Sequence, residues 1–306
     1  MPVAWTCGLR RNCRRLIRRP TLRCTTWSGK PHRWRRLRQA SPSASTGGPQ
    51  TSLSVGLQHA LSGPESASAL AYAVLLGQDE DRDAQIRLLQ ADAASQAALV
   101  TRLAGEVSAL PKSARLPLLD LAMPALRQMA PAERTRFLAT VDALIQADQR
   151  VTLAEFVVQT VLERRLDPKA GRATTVKFNS MAAAAGDCAV LLSLVAHVAE
   201  AAGNGSALDG YLRGMAMAPE AGLSVTGLAL GAGIDFVRVR AALGRLTMLA
   251  PLQKPLLVKM LMAAGSLEGA QLDINFADLI RAICAAVDAP VPPAVMRTYM
   301  AIAGEA

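Results

Sequence analysis

The chain has 306 residues, of which 51% are hydrophobic, 19% charged and only 4% aromatic, and its formal net charge is +10. That length supports one large core or two smaller ones. Few aromatics beside abundant Ala and Leu argue against sheet and for an all-α protein.

The charge is unevenly placed. Of the 34 basic side chains, twelve lie between Arg10 and Arg38, and the first acidic residue is Glu65. Residues 41–306 are left with 22 basic against 24 acidic side chains, a net of −2. Such a body offers no steering field for a polyanion, so nucleic acid is expected to bind only weakly, and through the arm. The arm, "RRNCRRLIRRPTLRCTTWSGKPHRWRRLRQ" (10–39), has arginine doublets without a sustained apolar face, and Pro20 and Pro31 interrupt any helix. Residues 1–40 also hold all three tryptophans, Trp5, Trp27 and Trp34, which are able to stack on bases. Three readings stay open: out-of-frame translation of GC-rich DNA behind a misplaced start, a disordered basic tail, or a targeting or binding arm. With the Ser/Gly/Pro linker "SPSASTGGPQTS" (41–52), the expected arm spans residues 1–52.

From residue 53 the pattern is helical. "PESASALAYAVLLG" (64–77) and "DRDAQIRLLQADAASQAALVTRLAGEVSAL" (81–110) place apolar residues at three- and four-residue spacing. "SARLPLLDLAMPALRQMAP" (113–131) is apolar on much of its surface and contains Pro117 and Pro124, which predicts a buried, bent helix. In the next helix Pro131 suits the first turn and Glu133 suits the positive end of the dipole. It is expected to stop at Asp148-Gln149-Arg150, where a T-x-x-E capping box, Thr152 with Glu155, opens the following helix. A calcium loop from Asp148 fails, because Arg150 and Leu153 stand at its third and sixth positions.

A second helical set is predicted over 180–293. Its pair at 251–288 echoes the pair at 131–166, as a degenerate internal repeat. The second connection, "SLEGAQLDIN" (266–275), has neither the Asp of the first turn nor its capping box. Two related helical subdomains, 53–175 and 176–306, are therefore expected behind the arm. The most apolar stretch, 181–203, is broken by Asp187, His197 and Glu200, so no membrane span is expected.

"RLPLLDLAMPALRQM" (115–129), "FLATVDALIQADQRVTLAEFVVQTVLERRLDP" (137–168) and "LIRAICAAVDAPVPP" (279–293) together resemble the cytoplasmic C-terminal region of bacterial HtpX-like zinc metallopeptidases. The resemblance covers roughly residues 55–295. The turn of that family commonly reads A-D-G-x-[IV]-x-x-x-E. Asp148 and Glu155 match it, and Gln149 replaces the glycine. The resemblance implies TerB-like helical subdomains and a cytoplasmic setting, with attachment to the inner-membrane face through a partner as its variant.

The family's chemistry needs H-E-x-x-H, and this chain has only His32, His59 and His197, none within a turn of another. There is no C-x-x-C, G-x-S-x-G or Walker A sequence, and Gly227, Gly231 and Gly233 are expected to serve a small-residue helix contact. Asp120, Asp142 and Asp148 lack a positioned base or nucleophile, and Cys188 and Cys284 read as buried free thiols. No catalytic, cofactor-binding or metal-ligating residue is assigned. The favoured expectation is a non-catalytic helical interaction or regulatory module that acts on a protein partner or its own copy. The alternatives are a nucleic-acid-binding protein working through residues 10–38, and a split peptidase whose H-E-x-x-H half lies upstream.

Overall fold

A computed structural model describes residues 53–305 except 77–78, 148–150, 169, 171, 173, 220–229 and 267–270. Residues 1–52, the expected arm and linker, lie outside the described residues, as does the turn at Asp148-Gln149-Arg150. Among the described residues the fold is all-α, with thirteen α-helices and no strand beyond one isolated bridge.

The first half is organised around one alanine-rich helix. After the short α1 (Val55–Ala60), capped by Ser54, α2 (Pro64–Leu75) starts on a proline and is buried continuously from Ala67 to Leu75. Small side chains let α4 (Ala94–Ser108) and α5 (Lys112–Leu126) lie against it. The helical pattern over 81–110 is two helices, α3 (Asp79–Asp92) and α4, separated at Ala93, whose φ of −141° and ψ of 48° are non-helical. Neither Gly nor Pro marks that break. Tertiary partners account for it: α4 turns onto α2, while α3 packs on α6 (Pro131–Gln146), and Gln85 donates to the Leu144 carbonyl at 3.2 Å. Pro117 and Pro124 do lie inside α5, whose buried residues include Leu116, Leu119 and Met123.

The capping box forms as expected at α7 (Leu153–Leu166). The Glu155 amide donates to Thr152 Oγ1 at 3.2 Å, and the Thr152 amide donates to the Glu155 carboxylate at 2.8 Å. Glu155 is thereby a buried carboxylate that accepts hydrogen bonds from its own helix start.

The second half begins with a 3-10 turn (Met181–Ala184) running into α8 (Ala185–Ala201). That stretch, Met181–Ala201, is long and apolar enough to cross a membrane, at mean hydropathy 1.7, but 67% of its apolar window is buried inside the fold. Then come α9 (Ala207–Ala216), α10 (Phe236–Leu246), α11 (Lys254–Gly265), α12 (Ile274–Val287) and α13 (Pro293–Glu305). The last of these lies beyond the expected limit at 293, because Pro293 opens a helix instead of closing one. The connection before α12 does hold a capping aspartate: Asp273 accepts from the amides of Asn275 at 2.8 Å and Phe276 at 3.2 Å.

The two halves share a seam. Helix α7 packs along α12, and Phe156 of α7 stacks on Phe236 of α10 with ring centroids 4.8 Å apart. A polar relay follows the same line, from Asp142 to Gln159 at 3.0 Å, and on from Gln159 to Arg240. The connecting segment is pinned by backbone bonds: Lys177 donates to the Met248 carbonyl, and Ala250 donates to Phe178.

Candidate functional site

At one end of the seam, α7 and α12 both terminate, and their last turns enclose a cleft of about 280 Å³. Arg164 and Arg165 come from the last turn of α7, where a cation complements the negative end of the helix dipole. Arg281 and Cys284 come from α12, Asp288 from its C-cap, and Arg127 from the turn after α5. Asp120 of α5 lies behind the wall and pairs with both Arg165, at 2.5 Å, and Arg281. Arg164 pairs with Asp288 and lies 3.9 Å from Asp167. Two carbonyls at the end of α7 are also met: Arg127 donates to that of Arg165 at 3.3 Å, and Arg134 to that of Leu166 at 3.3 Å. Burial lowers the Arg165 pKa from its ordinary value.

Arg281 also faces α13. Its guanidinium lies 5.0 Å from the centre of the Tyr299 ring, and the Tyr299 hydroxyl donates to Asp278. Burial pushes the Asp278 carboxyl up to about 6, against the lowering effect of that hydrogen bond.

A second surface is apolar. Helix α9 turns Gly210 and Gly214 inward against α8 and α11, where a Cβ at Gly210 would meet the Ala264 carbonyl at 2.7 Å. The same helix turns Leu208 and Leu212 outward, 54% and 56% exposed and one helical turn apart. Burying a leucine contributes roughly 1.5–3 kcal/mol, so this arrangement leaves stabilisation unused inside the monomer.

The residues weighed in the sequence are scattered. Asp142 accepts from Gln146 at 2.7 Å and from Gln159 at 3.0 Å, while Asp148 lies outside the described residues. His59 is exposed at the end of α1, and His32 is outside the described residues. His197 is half-buried, with Nε2 2.9 Å from the Gly231 carbonyl and Nδ1 3.6 Å from Glu200. Gly231 in turn donates to Ser193 Oγ at 2.9 Å. Its segment is thus non-helical and docks on α8 through backbone hydrogen bonds, which corrects the expected helix–helix contact; Gly227 is outside the described residues. Cys188 and Cys284 are buried and unpaired, and burial pushes both thiols up to about 12. Among the described residues no group of three or more His, Cys, Asp or Glu is placed to hold a metal ion.

Sequence reasoning missed both surfaces. The arginines of the cleft come from parts of the chain more than 100 residues apart, so no local motif announces them. The outward leucines carried a usable signal: Leu208 and Leu212 alternate with Gly210 and Gly214 at helical spacing. No family model, curated protein or solved structure matches the chain.

Proposed function

We propose that the chain is a non-catalytic helical interaction module, similar to the accessory C-terminal region of HtpX-like metallopeptidases. The observation that carries this reading is α9. This helix buries Tyr211 and Met215 beside its two inward glycines, yet still leaves Leu208 and Leu212, one turn apart, free to pack on something outside the monomer. The occupant consistent with the resemblance is a second copy of this chain or the peptidase region that such an accessory domain accompanies.

Light scattering over a concentration series tests it, with the full chain beside a Leu208→Glu/Leu212→Glu variant. The expected result is a mass that rises with concentration, or on mixing with an HtpX-like peptidase region, in the parent chain but not in the variant. A parent chain that stays monomeric under both conditions overturns the reading. Equal association by parent and variant overturns the choice of α9.

A further inference from the structure

We infer that the cleft at the ends of α7 and α12 is a binding site for a phosphate group. This inference is independent of the α9 reading, since it concerns different residues and a different ligand.

The argument begins with charge. Four guanidiniums, from Arg127, Arg164, Arg165 and Arg281, line one small cleft, and among the described residues one carboxylate, Asp288, lines it with them. Asp120 neutralises part of the excess from behind, and Asp167, 3.9 Å from Arg164, offsets a further part, so four guanidiniums face three carboxylates. A fifth cation is close: Lys254 is buried, and its pKa is lowered by burial first, with Asp288 raising it and Arg164 lowering it further. Two helix C-termini also point here, and their carbonyls repel an anion. Arg127 and Arg134 cover two of those carbonyls, which reduces that opposition and leaves the arginine excess to set the sign.

The two aspartates differ in a way that assigns their roles. Asp120 is 19% exposed and is held by two arginines, which makes it structural. Asp288 is 43% exposed and stands at the rim. Its backbone is left-handed, at φ 57°, unlike every other described non-glycine residue. Asp288 is therefore an internal anion placed against Arg164 by a turn, where an incoming oxyanion competes with it.

The cleft, at about 280 Å³, is just below the roughly 300–1,000 Å³ typical of drug-sized sites. A phosphate fits that scale, and planar guanidinium forks match its oxygens. Cys284 also lines the cleft, but a thiol pushed up to about 12 is protonated at neutral pH and is no nucleophile.

The test is calorimetric titration of the full chain with inorganic phosphate at constant ionic strength, using the parent, Asp288→Asn and Arg127→Gln. The N-terminal residues contribute equally to all three, so differences report the cleft. Asn suits a left-handed position, so Asp288→Asn keeps the turn while removing the competing charge. The expected result is saturable binding that tightens about fivefold in Asp288→Asn and weakens about fivefold in Arg127→Gln, the scale of one partly solvated charge contact. If Arg127→Gln does not fold, Asp288→Asn alone decides. Identical affinities in parent and Asp288→Asn, or saturable binding in neither, overturn the inference. Glycerol phosphate binding more tightly than free phosphate assigns the site to a phosphomonoester, and the reverse order assigns it to the free ion. Succinate binding as tightly as phosphate overturns the phosphate assignment.

Discussion

The helix pairs α6–α7 and α11–α12 each place an aromatic residue near the start of the second helix, Phe156 four residues after its cap and Phe276 three after its own, and use it oppositely. Phe156 of α7 reaches across the seam to stack on Phe236, in the other half of the chain. Phe276 of α12 turns back on its own pair, with its ring lying where a Gly265 side chain would be. Their caps diverge too. Thr152 and Glu155 satisfy two amides reciprocally, whereas Asp273 takes two amides with one carboxylate. The first pair takes its aromatic partner from distant chain, and the second finds its ring's contact at Gly265 within the pair. The two pairs are thus completed by different sets of contacts, and the differences define how to break each.

The largest effect is expected at Gly265→Ala. The added methyl would enter the van der Waals envelope of the buried Phe276 ring, and an overlap this deep is expected to cost about 3 kcal/mol, the upper end of the usual overpacking range. Chemical denaturation checks it. A loss below about 1 kcal/mol would show that α11 and α12 separate easily, and the contrast between the pairs would fail.

Next in size is Asp278→Asn, which probes the packing of α13 on the second pair. The folded-state pKa of Asp278, about 6, lies above the ordinary 3.8. Its protonated form therefore favours the fold: the stabilisation is full below about pH 4 and is lost as pH rises through about 6. Asn keeps an acceptor for the Tyr299 hydroxyl and carries no charge. Stability at pH 7 should rise by on the order of 2 kcal/mol, and the decline between pH 4 and 7 should flatten. Melts across that pH range measure both, and an unchanged slope would remove Asp278 from the account.

The caps separate the pairs more finely. Asp273→Ala removes a charged acceptor serving two amides at a helix N-terminus, and should cost about 1.5 kcal/mol. Thr152→Ala should cost about 1 kcal/mol, because Glu155 still holds the Thr152 position amide. The smallest effect is expected at Glu155→Gln, below about 0.5 kcal/mol, since Gln still reaches that amide. Melting midpoints that reverse the order of Asp273→Ala and Thr152→Ala would mean that the reciprocal box is the stronger device.

How far the sequence was legible follows local chemistry. Pro64, Pro131 and the Thr152–Glu155 box announce their helix starts because capping is a contact between near neighbours. Asp273 is equally legible, as an aspartate just before an apolar period, although it belongs to no capping box. The break at Ala93 was not readable, because every residue around it tolerates a helix and only the packing of α3 and α4 onto different partners imposes it. The arginine cleft lies further out of reach still. Its residues are ordinary surface cations until two helix ends meet.

The contact of α7 with α12 also orders events during synthesis. Helix α7 is complete at Leu166, and its partner begins at Ile274, roughly 110 residues later. At ~5–20 residues per second, α12 is made roughly 5–20 s after α7 leaves the ribosome. Over that interval the apolar face of α7, with Phe156 and Leu162 on it, is without its final cover. Newly made first halves are then the species most exposed to self-adhesion and to holding chaperones, and a pause in translation between 166 and 274 lengthens that exposure.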